Sequence, residues 1–184
     1  MDWIIPGTVL AAPRESAEQI EQQFSAMFLG GGIVLSQVAS ITALETHTVQ
    51  NWVKRGFLTK PVGKRYTLRQ LCRILNINTF KNVMPLEQVC KLLQYVNGHL
   101  DDESDDIIDD SVLYFLFVRL ACYYSGESSA GKREEYLEKV LEGYQEPRPG
   151  AKDRVRKVLR IMLTAWAASQ LRIAAENMIK ELDA

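Results

Sequence analysis

Apolar residues recur at helical spacing over most of the chain. Leu35 and Val38 lie three positions apart, and Val49, Trp52 and Val53 follow one another at intervals of three and one. This spacing places the apolar side chains on one face of an α-helix, where they can be buried together. The pattern predicts an all-α protein, with short helices and tight turns over residues 35–77 and further helices after Pro85.

Two later stretches predict helices of different kinds. Residues 112–124 are apolar except for Arg119, and these 13 residues are fewer than the roughly 20 that span a membrane, which indicates a buried core helix. Residues 151–182 predict one long helix whose two apolar stripes are out of phase, which favours packing in a bundle over a strict coiled coil. The first stripe contains Val155, Leu159, Met162 and Trp166, and the second contains Leu171, Ala174, Met178 and Leu182.

The breaks between these patterns divide the chain into four segments. Three consecutive glycines, residues 30–32, end the first predicted helix, because glycine adopts the left-handed cap conformation without penalty. We expect an N-terminal helix packed on the body (residues 1–32), a compact module (33–98), an acidic linker (99–106) and a helical C-terminal domain (107–184). Seven acidic residues fall between Asp101 and Asp110, where the dipole of the next helix favours negative charge. Their spacing does not match a calcium-binding EF-hand loop, so we expect no metal.

Charge is distributed unevenly, although the net charge of the chain is only −1. Residues 46–86 contain eight basic residues and no acidic residue. Local positive charge attracts a polyanion even when the whole protein is slightly acidic. The segment therefore indicates binding to nucleic acid. Its basic residues are Lys54, Arg55, Lys60, Lys64, Arg65, Arg69, Arg73 and Lys81.

Residues 35–58 predict two short helices joined by a turn at Ala43 and Leu44. The second helix buries Val49, Trp52 and Val53. Its opposite face is polar or basic, which suits contacts with base edges and phosphates. The residues expected to contact DNA on this helix and at its end are Thr46, His47, Gln50, Asn51, Lys54 and Arg55.

A β-hairpin, or wing, is predicted next, because Gly63 lies between two short extended pieces. Basic residues at the tip of such a hairpin can contact the phosphate backbone beside a groove. We expect these contacts from Lys60, Lys64, Arg65 and Tyr66, with Arg69 on the helix that follows.

Three ordered motifs resemble the DNA-binding domain of MerR-type regulators. They are TVQNWVKRGFL at residues 48–58, YT at 66–67 followed by QLCRI at 70–74, and LEQVCKLL at 86–93. The resemblance covers residues 33–93, about a third of the chain. It implies a winged helix-turn-helix module with the second helix in the major groove and the wing on the backbone. Gln50 and Asn51 depart from the arginine and the aromatic residue usual there, so the base contacts cannot be copied from the family.

The whole chain resembles a poorly characterised bacterial family that couples such a module to a small helical domain. This resemblance implies a sequence-specific transcriptional regulator that binds double-stranded DNA, and it supplies no effector. We also expect a homodimer through the C-terminal helices, and the candidate contact is the long helix of residues 151–182, with Trp166 in its centre. Two alternatives stay open: a protein-interaction adaptor with a degenerate winged helix, and an architectural DNA-binding protein.

The remaining chemistry-bearing residues do not indicate an enzyme. His47 lies on the outward face of the predicted reading helix, and His99 has no nucleophile near it in sequence. No phosphate-binding loop, dinucleotide-binding glycine pattern or HExxH motif is present, so we expect no catalytic residue and no cofactor. The cysteines, Cys72, Cys90 and Cys122, form no CxxC pair, and together with the absence of a signal-peptide pattern they favour a cytoplasmic protein.

Overall fold

The structure is a computed structural model that describes residues 2–14, 17–124 and 130–182. Within these residues the chain is predominantly helical, as the spacing of apolar residues predicts, and it contains eight α-helices and four short β-strands. In chain order they are β1 (Asp2–Ile4), β2 (Ala11–Pro13), α1 (Ala17–Met27), β3 (Ile33–Val34), α2 (Leu35–Thr42), α3 (Thr46–Lys54), β4 (Arg65–Tyr66), α4 (Leu68–Phe80), α5 (Leu86–Asn97), α6 (Asp110–Tyr123), α7 (Ala130–Leu141) and α8 (Ala151–Glu181).

Helix α6 forms the centre of the hydrophobic core. Leu113, Tyr114, Phe117 and Leu120 are each almost completely buried. The helix packs against α4 on one side and against α1, α7 and α8 on the others. A single cluster of buried residues therefore extends along the chain from Trp3 to Leu163. The acidic segment marks a change of composition, and α4 and α6 pack directly against each other across it.

Helices α2 and α3 are joined by a tight three-residue connection. Val38 and Ile41 of α2 are buried, and Leu44 in the connection is buried beside them. Ala43 has a φ of 53°, in the left-handed region. The backbone amide of Leu44 then donates to the Thr42 hydroxyl at 3.2 Å, and α3 begins after Glu45.

Replacing Ala43 by glycine is expected to stabilise the protein. A β-carbon in the left-handed region costs about 1–2 kcal/mol, which exceeds the entropy that an added glycine loses on folding. We expect Ala43→Gly to raise the free energy of unfolding by up to about 1 kcal/mol in urea titrations. Ala39→Gly, inside α2, is the matched control and should lower it by about 1 kcal/mol. Equal losses of unfolding free energy in both variants would contradict the left-handed conformation of Ala43.

Residues 62–65 form a two-residue reverse turn. The Arg65 backbone amide donates to the Val62 carbonyl at 2.9 Å, and both central residues have positive φ, 56° at Gly63 and 63° at Lys64. These angles are typical of a type I′ turn, whose twist matches that of paired strands. Strand β4 continues from the turn and pairs antiparallel with β3, Ile33 opposite Tyr66.

A second antiparallel pair, β1 with β2, lies at the N-terminus. The sequence pattern did not predict it. Trp3 and Ile5 are buried in the core, while Ile4, which alternates with them, is half exposed. In the described part of the chain, no helix combines the length and the apolar character needed to cross a membrane.

Candidate nucleic-acid interface

Helix α3 separates buried and exposed residues by face. Val49 is fully buried and Trp52 is 5% exposed, so one side of the helix is fixed against the core. The backbone amide of Phe57 donates to the Trp52 carbonyl at 2.9 Å and ends the helix around Gly56. The opposite side carries the polar residues selected from the sequence, and the exposed ones are Thr46, His47, Gln50, Asn51 and Lys54.

A groove of about 730 Å³ separates α3 from residues 60–66. In this segment Val62 and Arg65 form one antiparallel bridge around the turn, and we call the segment the hairpin. The groove takes its apolar lining from Val34, Leu35, Val53, Pro61 and Tyr66, and its polar lining from Ser36, Gln50, Lys54, Lys60 and Lys64. The groove thus joins residues from α3 with residues that lie six or more positions further along the chain. Ser36, in the first turn of α2, belongs to this surface although the sequence pattern did not indicate it.

Four cations around the groove carry positive charge that no carboxylate neutralises. In the residues the structure describes, no acidic side chain lies within ion-pair distance of Lys54, Lys60, Lys64 or Arg65. The Arg65 guanidinium instead donates to the backbone carbonyl of Gly32 at 2.8 Å, which leaves its charge intact. We call these four residues the basic rim.

Arg55 lies at the end of α3 and already has two partners on the protein surface, Glu87 and Phe57. Its guanidinium is 2.5 Å from the Glu87 carboxylate and stacks over the Phe57 ring at 4.5 Å from the centroid. Both side chains of the ion pair are more than half exposed, so the pair is easily broken. Arg55 can therefore contact a phosphate only by exchanging Glu87 for it.

Tyr66 is placed differently from the sequence expectation of a backbone contact. Successive residues of a strand point to opposite sides, so Arg65 is exposed and Tyr66 is only 3% exposed. Burial raises the pKa of its hydroxyl. The ring supports the hairpin from inside, and we leave Tyr66 out of the surface proposed below. Strand alternation after Lys64 was the signal that could have indicated this.

Arg69 is surrounded by the acidic segment. Its guanidinium lies 2.6 Å from Asp106 and 3.2 Å from Glu103, with Asp109 at 3.5 Å. Burial lowers the pKa of Arg69, but the hydrogen bond with Asp106 and the charges of Asp106, Asp110 and Asp109 together outweigh it and leave the pKa above its ordinary value. Its charge is already neutralised within the chain, so Arg69 is also left out of the proposed surface.

Arg73, one turn further along α4, forms a buried ion pair with the start of α6. Its Nη1 lies 3.2 Å from Oδ2 of Asp110, and the two side chains are 5% and 2% exposed. Its Nε donates to the Phe57 carbonyl at 2.8 Å, just after α3. One arginine thus connects the end of α3, helix α4 and the first turn of α6.

Other residues with potential chemistry are occupied or buried. Cys72 and Cys90 are buried, and burial raises the pKa of both thiols. His99 is exposed, and its Nδ1 lies 2.8 Å from Asp105, whose hydrogen bond raises the pKa of the imidazole. Over residues 2–14, 17–124 and 130–182, no group of three His, Cys, Asp or Glu side chains is arranged to hold a metal ion.

These features define a predominantly helical protein that exposes a polar helix beside a basic hairpin. The chain belongs to the family described as "Domain of unknown function (DUF1836)", which matches residues 19–117, more than half of its length. The matched region includes the polar helix, the hairpin and the Arg73–Asp110 pair. It ends inside α6.

One curated relative is an uncharacterised protein, YkrK, from Bacillus subtilis (strain 168). It is 24% identical over 114 residues, which cover 60% of this chain and 49% of the relative. The matched part therefore spans about half the length of that relative. No solved structure matches the chain.

Proposed function

We propose that residues 33–93 act as a winged helix-turn-helix module that binds double-stranded DNA in a transcriptional regulator. The supporting observation is that Gln50 and Lys54, on the acid-free face of α3, line the same groove as Lys60 and Lys64. Polar side chains for base edges and cations for phosphates are the two kinds of group that such recognition requires. The surface differs from the sequence-based set in that Tyr66 and Arg69 are absent from it.

The dimensions of α3 suit the major groove. With its side chains a helix is about 10–12 Å across, which fits the ~12 Å width of that groove in B-form DNA, and α3 presents the nine residues Thr46–Lys54 along it. Gln50 and Asn51 can each make paired hydrogen bonds with adenine, and Lys54 can contact guanine or a phosphate. In this arrangement the hairpin reaches the neighbouring backbone, where Lys60, Lys64 and Arg65 contact phosphates.

The first test measures affinity for random-sequence duplex DNA as a function of salt. Each phosphate contact contributes about −0.9 to the slope of log affinity against log salt, so the four rim residues predict about −3.6. We expect affinity to fall about 100-fold between 50 and 200 mM salt on that slope. A protein without measurable duplex affinity at low salt would refute the proposal and favour the adaptor alternative.

The second test addresses base recognition by α3. Gln50→Ala combined with Lys54→Ala should lower affinity for a selected duplex by about 10- to 100-fold, since a paired base contact contributes about 1–3 kcal/mol. Gln88→Ala with Lys91→Ala is a matched control, because both residues are exposed on α5. Fluorescence anisotropy measures affinity, and circular dichroism checks that helicity is unchanged. Equal effects of the two pairs would contradict α3 as the reading helix.

A further inference from the structure

The last three turns of α8 extend beyond the body of the protein. Leu163 is 3% exposed and Ser169 is 7% exposed, and they are among the last residues of the helix that the body covers. Every described residue from 171 to 182 is exposed. Among them are large apolar side chains, with Leu171 at 70%, Met178 at 65% and Leu182 at 83% exposure. Three turns of helix therefore present apolar surface to solvent, which monomeric proteins seldom do with a contiguous patch.

This apolar surface faces away from the body. The residues that pack on the body recur at intervals of four and three, and they are Val155, Leu159, Met162, Trp166 and Ser169. The exposed stripe, which we call the tail stripe, repeats the same intervals and consists of Leu171, Ala175, Met178 and Leu182. At 100° per residue the two sets lie about 170° apart around the helix axis. The described part of the body therefore leaves the tail stripe uncovered.

Trp166, in the centre of the helix that the sequence offers as a dimer contact, packs against the body of the protein. Its ring makes edge contacts with Trp3 at 6.5 Å and with Phe117 at 6.1 Å between centroids. This packing closes the bundle and leaves the later turns of α8 as the uncovered part of the helix.

We propose that the tail stripe pairs with the tail stripe of a second copy of this chain, with the two helices antiparallel. A stripe with intervals of four, three and four supplies alternate d and a positions of a coiled coil. In an antiparallel pair, one register matches every a position with a d position. Leu171 then lies opposite Leu182 of the second copy, and Ala175 lies opposite its Met178. The large side chain faces the small one, and the contact is the same from both copies, as two-fold symmetry requires.

Charge favours a second copy over a charged partner. The tail stripe contains no charged residue, and the charged residues of 171–182 are two basic and two acidic. Arg172 forms an ion pair with Glu176 within the same helix. Two such tails therefore approach without net repulsion, and a strongly acidic or basic partner finds no complementary charge on this face.

The area sets the expected strength of the pairing. Twelve residues form a helix of about 18 Å, and two of these bury on the order of 1,000 Å² in total, near the lower limit of specific interfaces. We therefore expect a weak dimer that forms as protein concentration rises from low micromolar to millimolar.

Sedimentation velocity of the full chain tests the pairing. The average mass should rise with concentration from 20.9 kDa toward twice that value. Leu171→Glu with Met178→Glu should raise the dissociation constant at least tenfold, roughly, because four carboxylates would then be buried in the seam against apolar side chains. Ile173→Glu with Asn177→Glu changes the charge equally on the opposite side of the helix and should leave the mass profile unchanged. A wild-type chain that stays monomeric at millimolar concentration, or a control pair that dissociates the dimer equally, would overturn the proposal.

Cross-linking tests the orientation. When Ala175→Cys and Met178→Cys proteins are mixed and oxidised, the mixed disulfide should form faster than the disulfide between two Ala175→Cys chains. Oxidation of the wild-type protein under the same conditions gives the background of disulfides formed by the native cysteines. Preferential linkage of Ala175→Cys chains to each other would indicate parallel helices and overturn the antiparallel pairing.

Discussion

Replacing Lys60 and Lys64 by glutamate should lower the affinity for duplex DNA at least about 100-fold at low salt. Both side chains are exposed beside the groove, and neither has a carboxylate partner in the described part of the chain. The substitutions remove two phosphate contacts and place two negative charges against the backbone. The slope of log affinity against log salt should become shallower by about 1.8, since each lost contact accounts for about 0.9.

The control for this prediction changes charge elsewhere. Lys152→Glu with Lys157→Glu alters the net charge by the same amount on α8, at a distance from the groove along the chain and in the fold. If affinity depends on the overall charge alone, both pairs will weaken binding equally, and the hairpin loses its assigned role. Thermal unfolding of the hairpin variant should match that of the wild type. At position 64, where φ is 63°, glutamate has a β-carbon just as lysine does, so the backbone strain does not change.

Replacing Arg73 by leucine should cost about 3–5 kcal/mol of stability, the largest effect we expect from a single substitution. The change leaves the buried Asp110 carboxylate with only Arg69, whose Nε lies 3.9 Å away, and leaves the Phe57 carbonyl without its donor. Replacing both partners, Arg73→Leu with Asp110→Leu, should cost less than Arg73→Leu alone, because an apolar pair leaves no buried charge. Arg160→Leu breaks a half-exposed pair with Glu134 and should cost less than about 1 kcal/mol.

The cost of Arg73→Leu should also depend on pH. Burial already raises the pKa of Asp110, while Arg73 lowers it, so removing Arg73 raises the pKa further. A carboxyl group with a higher pKa in the folded than in the unfolded state binds protons preferentially when folded. Stability therefore falls as pH rises from the unfolded pKa through the folded one. We expect a larger loss at about pH 7 than at about pH 5 in urea titrations. A loss independent of pH would contradict an ionised Asp110 as its cause.

Arg73→Leu also tests whether α3, which we propose as the helix that reads DNA, depends on the C-terminal helices. Arg73 holds the Phe57 carbonyl just after α3 and, through Asp110, the start of α6. Under conditions where the variant is still folded, we expect weaker duplex binding although Arg73 itself is buried. This result would identify Arg73 as a positioning residue rather than a contact.

The faces of α3 illustrate what could be predicted from local sequence. Val49 and Trp52 are buried and Gln50, Asn51 and Lys54 are exposed because their spacing alone assigns them to opposite sides of a helix. The turn at Gly63 could be predicted in the same way, since glycine favours the positive φ found there. The β1–β2 pair was missed because each strand has only three residues, too few for a clear alternation.

The basic segment illustrates what local sequence left undecided. Its eight cations looked equivalent, and an acidic run was visible near residue 105. Nothing in the order of residues shows that Arg69 and Arg73 turn toward that run while Lys60 and Lys64 face solvent, because this depends on how α4 packs on α6. Long-range pairing between segments more than 30 residues apart is a property of the packed helices.

The sequence by itself therefore determined the helices, their buried faces and the polar face of α3, because helical periodicity is a local property of the chain. Only the tertiary structure decided which cations are neutralised and that Tyr66 points inward. It also decided that α8 extends beyond the body after Ser169. These outcomes depend on where the core ends and which surfaces meet. Both are set by the packing of distant segments.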